Sequence, residues 1–243
     1  MIRAIGVVIP ARDEADLIGP CLRHLRVALA RLPGRIERAV CVVADRCVDD
    51  TASLARAEFA GWPDGRVLAN QHAPTIGGVR ALGFRQVSGM LAGHDPTRTL
   101  LLSSDADSAV EPDWALAHLR LAERGWHGIA GAAELERPVP PHVAARYAAI
   151  RDRSRTRHGH GNVYGANLGV RADAYAAVGG FAPLANGEDQ DLWRRLGAAG
   201  FRLTYASEAV VRTSARQHGR ATDGVAALLR RLHRDDATLP TAS

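Results

Sequence analysis

The chain has 243 residues, of which 47% are hydrophobic and 23% charged, with a net charge of +5 at neutral pH. That length and balance suit a folded domain with a substantial core and exclude intrinsic disorder. No apolar run approaches the roughly 20 residues that cross a bilayer, and no basic segment leads into a long apolar leader, so a cytoplasmic protein without a transmembrane segment is expected.

The basic balance does not point to nucleic acid. All 31 basic residues are arginine, and they are scattered among 26 acids rather than gathered into a stripe. Cys21, Cys41 and Cys47 are odd in number and lack the Cys-x-x-Cys spacing, which excludes a disulfide framework and a structural zinc site; each reads as a small buried hydrophobe.

In chain order, the apolar run Ile5–Ile9 predicts a first strand, stopped by Pro10. Asp13 and Asp16 offer N-cap chemistry to a helix carrying Ile18, Cys21, Leu22, Leu25 and Leu29. Ala39–Ala44 predicts a second strand, and Thr51 caps a helix bearing Leu54 and Phe59. A third strand is expected at Arg66–Ala69, and a helix at Gly77–Leu91. Thr99–Ser103 reads as a fourth strand, and Pro112 opens a helix with Trp114 and Leu121. Later come a strand at Gly128–Glu134, an arginine-rich helix at Pro140–Arg157 and a glycine-punctuated loop at His158–Gly165. A helix at Glu188–Gly200, a strand at Ala209–Arg212, a basic helix at Gly224–His233 and a loose tail complete the chain. Continuous apolar strands separated by helices imply an α/β fold, with a mostly parallel sheet covered on both faces. Residues 1–243 read as one domain with two halves, 1–110 and 111–243.

In such sheets ligands bind beyond the carboxyl ends of the strands. The chemistry-bearing residues fall there: Pro10 to Glu14, then Asp45, then Asp105 and Asp107. Two carboxylates two apart, directly after a buried strand, can share a divalent cation such as Mg²⁺ or Mn²⁺, with diphosphate oxygens completing its shell; a solvated capping turn is the plain alternative. Gly77 and Gly78 open a helix with Arg80 one turn in, an arrangement that suits either a phosphate or an ordinary helix start. Glu188, Asp189 and Asp191 open another helix, whose dipole favours anions. His158 and His160 have metal-like spacing, but their flanking glycines favour an acceptor-side loop.

Taken together these motifs resemble the family 2 glycosyltransferases of the GT-A fold. The resemblance is carried by Val7-Val8-Ile9-Pro10-Ala11-Arg12-Asp13-Glu14, Val42-Val43-Ala44-Asp45-Arg46-Cys47-Val48-Asp49-Asp50-Thr51 and Gly77-Gly78-Val79-Arg80-Ala81-Leu82-Gly83. It continues through Ser104-Asp105-Ala106-Asp107-Ser108, Gly165-Ala166-Asn167-Leu168-Gly169-Val170-Arg171, Val178-Gly179-Gly180-Phe181 and Gly187-Glu188-Asp189-Gln190-Asp191-Leu192-Trp193-Arg194-Arg195-Leu196. The ordered set spans residues 5 to 212.

The resemblance implies a nucleotide-diphosphate sugar as donor, a divalent metal cofactor and inversion at the anomeric centre. Pro10, Ala11 and Glu14 would sit at the base and ribose, Asp45 at the base and Arg80 near the diphosphate. Asp105 and Asp107 would form the metal motif, and Asp189 would be the general base. His218 is a candidate third metal ligand in a shifted position. The Gln-x-x-Arg-Trp signature of processive relatives is absent, which implies transfer of a single sugar. The acceptor, whether small molecule, lipid or glycan, is left open. The basic C-terminal helix, with Leu228, Leu229 and Leu232, is expected to pack on the domain or on a second copy, which admits a homodimer; contact with an anionic membrane surface is the alternative. A nucleotidyltransferase, or a non-catalytic nucleotide-sugar-binding protein, are the alternatives. The first would want a glycine-rich basic signature after the first strand, which Pro10 to Glu14 lack.

Overall fold

A computed structural model describes residues 1–136, 140–153 and 160–214. Strand β1 (Ala4–Ala11) leads into α1 (Ala15–Ala30), β2 (Glu37–Asp45), α2 (Thr51–Glu58), β3 (Gly65–Asn70) and α3 (Ile76–Met90). Then follow β4 (Thr99–Ser104), the short β5 (Ser108–Val110), α4 (Trp114–Glu123), β6 (Gly128–Leu135), α5 (Pro141–Arg153) and β7 (Asn167–Arg171). The described part closes with α6 (Ala172–Ala177), α7 (Glu188–Ala198) and β8 (Leu203–Thr213).

The eight described strands form one sheet in the order β3-β2-β1-β4-β7-β6-β8-β5. β3, β2, β1 and β4 pair in parallel, as their continuous apolar runs require. β7 then inserts antiparallel between β4 and β6, and β5 pairs antiparallel with β8. Neither of those two strands stood out in the sequence: β5 has only three residues, and in β7 Gly169 separates the two apolar residues Leu168 and Val170, so no apolar run forms.

Alternate residues of each strand feed two apolar layers. Ile5, Val7 and Ile9 of β1 face the layer built by α1, α2 and α4. Ala4 and Val8 face the layer built by α3, α6 and α7. In α1 the buried stripe is Ile18, Cys21, Leu22, Leu25, Ala28 and Leu29. At about 1.5–3 kcal/mol per fully buried large side chain, this stripe outweighs the ~3 kcal/mol cost of Pro20 inside the helix.

Gly83 sets how near α3 comes to the sheet. A Cβ there would lie 2.3 Å from Val8 Cγ1 and 2.9 Å from Val43 Cγ2. The close approach carries Arg80, one turn earlier, to the carboxyl ends of the central strands.

Several local expectations are corrected. Thr51 is the first residue of α2 rather than its cap; its Oγ1 accepts the Glu14 backbone N–H at 2.6 Å, tying the start of α1 to the start of α2. Glu14 occupies the N-cap position of α1, where the sequence offered Asp13 and Asp16, and Asp13 Oδ1 accepts from Val48 N instead. Leu54 stands 41% exposed, because α2 rests on its Thr51–Ala55 side. The last strand is longer than Ala209–Arg212, since β8 follows β6 across a bulge at Gly131/Ala132. His158, His218, the basic helix Gly224–His233 and the tail lie outside the described residues. Among those described, no helix is long and apolar enough to cross a membrane.

Candidate active site

Pro10 and Ala11 end β1, buried and in register with Val43 and Ala44 of β2. Just beyond, Asp13 and Arg46 adopt left-handed backbone with φ of 48° and 49°. Such conformations are costly for residues other than glycine and concentrate at ligand sites. Here they turn the chain sharply after two neighbouring strands.

Asp45, the last residue of β2, has both carboxylate oxygens engaged. Asn70 Nδ2 donates to Oδ1 at 2.7 Å, and the Arg46 guanidinium forks onto Oδ1 and Oδ2 at 2.9 and 3.1 Å. Asn70 is fixed in turn by accepting from His72 N and Ala73 N. This carboxylate is therefore locked in place at the strand end.

Gly77 and Gly78 prove to be an ordinary helix start. Thr75 Oγ1 caps α3 by accepting from Gly78 N, and Gly77 N donates to Leu184 O. The contact seats the N-terminus of α3 on the segment that leads into α7.

Arg80 is the centre of the site. Its side chain is 4% exposed. Nε donates to Glu188 Oε1 at 3.0 Å, an Nη donates to Asp105 Oδ1 at 2.7 Å, and the other Nη donates to Ser103 Oγ. Burial of a guanidinium is tolerable only with such partners, and two carboxylates raise its pKa well above the ordinary arginine value despite desolvation. The sequence placed Arg80 near a diphosphate; in the structure it lies beneath Asp105 with its donors engaged by protein groups.

Asp105 follows β4 directly, and Asp107 precedes β5. The side chain of Asp105 is 36% exposed, so it faces solvent above Arg80. The buried Cys21 thiol donates to Asp105 O at 3.5 Å. Burial chiefly, then the charges of Asp107, Asp105 and Glu14, push this thiol far above its ordinary pKa. Three carboxylates thus concentrate negative field at the ends of β1 and β4. Their hard oxygens are the donor type that Mg²⁺ or Mn²⁺ prefers.

Asp189 is the second residue of α7. The Gly165 backbone N–H donates to its Oδ2 and its neighbour Gln190 N–H to its Oδ1, both at 2.7 Å. Burial and the adjacent Glu188 raise its pKa above the ordinary aspartate value, against the lowering by these N–H groups and by Arg80. Asp191 turns away to ion pairs with Arg194 and Arg195, both exposed or partly so.

Of the histidine pair on the glycine loop, His160 is described. Its Nε2 bonds Ala130 O at 3.1 Å and so ties the loop to β6, while its Nδ1 accepts from Asn162 N at 3.2 Å within the loop itself. Sequence reading missed Ser103 and Gly165 as parts of the site. It also missed Asn167, whose carboxamide gathers Trp114 Nε1, His118 Nε2, Ala132 O and Ala209 O in the sheet just beyond. A short-range signal existed only for Gly165 and Asn167, which share one motif.

The family model described as glycosyltransferase-like family 2 matches residues 3–235. No curated protein sequence matches. Among solved structures, the mannosyltransferase PcManGT from Pyrobaculum calidifontis, in complex with GDP-Man and Mn²⁺, superposes with a TM-score of 0.63 at 17% identity. The match covers 88% of this chain and 58% of that one. The S. aureus TarS fragment 1–349 in complex with UDP gives 0.63 at 14% identity, covering 89% and 61%. Glucosyl-3-phosphoglycerate synthase from Mycobacterium tuberculosis, in complex with Mn²⁺, UDP and glucosyl-3-phosphoglycerate, gives 0.58 at 18% identity, covering 95% and 77%. These likenesses show a shared GT-A fold, and this chain spans less than two thirds of the first two proteins. Because the family match runs over almost the whole sequence, the chain belongs to the glycosyltransferase-like family 2.

Proposed function

We propose that this chain transfers one sugar from a nucleotide-diphosphate sugar to an acceptor hydroxyl, with inversion at the anomeric carbon. The observation that carries this reading is the Arg80 bridge, which gathers the strand-end carboxylate of Asp105 and the acidic start of α7 into one cluster. Pro10, Ala11, Glu14 and Asp45 line the adjacent strand ends and would receive the nucleoside. Asp105 and Asp107 would hold a divalent cation, and the Mn²⁺ complexes of the fold neighbours support that assignment. A bound cation supplies neutralising charge for the departing diphosphate.

Asp189 is the proposed base. Each of its oxygens accepts one backbone N–H and keeps a lone pair for an acceptor hydroxyl. Its raised pKa makes it a stronger base than an exposed aspartate, which favours proton removal as the hydroxyl attacks. A single displacement of this kind inverts the sugar carbon and needs no protein nucleophile.

A thermal-shift screen of nucleotide sugars, each with Mn²⁺, with Mg²⁺ and with neither, tests the reading, because a ligand that binds the native state raises its apparent stability. The expected result is a cation-dependent shift with one nucleotide class. Asp107→Asn should then weaken donor binding by about tenfold or more in calorimetry. Unchanged donor affinity in saturating Mn²⁺ would remove Asp107 from the site.

A further inference from the structure

Arg80 is one fixed positive charge shared between two carboxylates of different exposure. Glu188 is buried with it; Asp105 is open to solvent. Ser103 Oγ holds the third side of the fork. Gly165 covers the guanidinium, since a Cβ there would lie 2.5 Å from the Nη that faces Asp105. The cation therefore has no room to swing outward, and its pull is divided between the two anions. Whatever changes the charge on one carboxylate must alter how strongly Arg80 holds the other, because Coulomb interactions at these distances are strong away from bulk water.

We infer that Arg80 is a positioning residue through which Glu188 sets the affinity of Asp105 for a divalent cation. With Glu188 charged, the fixed guanidinium charge is divided between the two carboxylates, which leaves Asp105 able to accept a metal. With Glu188 neutral, the whole guanidinium charge falls on Asp105 and competes with the metal. Glu188 would thus govern a cation it does not touch. Lysine cannot replace Arg80 here, because a point charge lacks the planar fork that meets three partners at once. The inference rests on the reading of Asp105 and Asp107 as cation ligands, and it separates the job of Glu188 from that of its neighbour Asp189.

The experiment is calorimetric titration of Mn²⁺ alone into the full chain, with no donor present. Four proteins are compared: unaltered, Glu188→Gln, Arg80→Met, and the double variant. Glu188→Gln should weaken Mn²⁺ binding by about fivefold or more, the usual scale of coupling between sites. On the Arg80→Met background the same exchange should change affinity by less than about twofold, since the connecting charge is gone. A full effect that persists without Arg80 means Glu188 acts on the ion directly and overturns the inference. So does an unchanged affinity in Glu188→Gln when the unaltered chain binds Mn²⁺. No Mn²⁺ binding by the unaltered chain overturns the cation reading itself. Should circular dichroism show Arg80→Met unfolded, the neutral Arg80→Gln takes its place; a full Glu188→Gln effect on that background counts against the inference.

Discussion

Gly165 and Asp189 are joined by a 2.7 Å hydrogen bond from the glycine backbone N–H to Oδ2, on the loop that precedes β7 and the first turn of α7. The same glycine lies against the guanidinium of Arg80. One residue without a side chain therefore fixes the orientation of the proposed base and closes the cover over the buried cation.

Gly165→Ala tests that double role. The new Cβ would fall 2.5 Å from one Nη of Arg80 and 2.8 Å from its Cζ. Arg80 cannot yield, because its other contacts reach into α7 and β4. The loop must move, and the hydrogen bond to Asp189 is lost or lengthened. A hydrogen bond to a charged group contributes about 1.5–3 kcal/mol, so kcat should fall by roughly 10-fold or more. Steady-state transfer assays measure this; a kcat within about twofold of the parent means the loop is not what orients Asp189.

The pH dependence of turnover follows from Asp189. Burial first, then Glu188, raise its pKa above the ordinary carboxyl value. A base acts only when deprotonated, so kcat should rise with pH, and the acid limb should lie above the range of an exposed aspartate. Glu188→Gln removes the like charge and leaves Arg80 nearby, so the limb should move to lower pH. Profiles of kcat for both proteins decide the point. A limb that stays in place in Glu188→Gln shows that some other group governs the protonation step.

Stability should carry a separate pH signature, from His118. This imidazole is fully buried on α4, and desolvation lowers its pKa to about 4. Its Nε2–H donates to Asn167 Oδ1, while Nδ1 has no hydrogen-bond partner. The native state thus takes up its proton less readily than the unfolded chain, whose histidine titrates near 6.5. Its contribution to stability is complete above pH 6.5 and declines as pH falls from there towards 4, by about 3 kcal/mol in all. His118→Gln retains a donor for Asn167 and does not titrate. Urea denaturation across this window should show a flatter slope for the variant, and parallel slopes would mean that His118 is not the group responsible.

Much of the fold was legible because it depends on local pattern. The runs Ile5–Ile9, Ala39–Ala44 and Thr99–Ser103 are continuous and apolar, as strands covered on both faces must be, and they pair in parallel. The acids that follow them mark the ligand end of such a sheet for the same topological reason. β7 was not legible as a strand. Gly169 between Leu168 and Val170 leaves it no continuous apolar run, and its antiparallel place between β4 and β6 depends on partners far away in the chain.

By itself, the sequence determined which residue types lie at the strand ends: Asp45, Asp105 and Asp107 after apolar runs, and Glu188 and Asp189 at a helix start. It could not determine how these charges are shared. That Arg80 turns inward to Glu188, Ser103 and Asp105 was decided by the tertiary structure. Gly83 lets α3 press against β1 and β2, and the buried guanidinium must then find anions within its own reach. The Gly165–Asp189 contact has the same origin, since packing of the loop against Arg80 brings its amide to α7. Hydrophobic period is a property of neighbours in sequence; ion pairing inside a core is a property of neighbours in space.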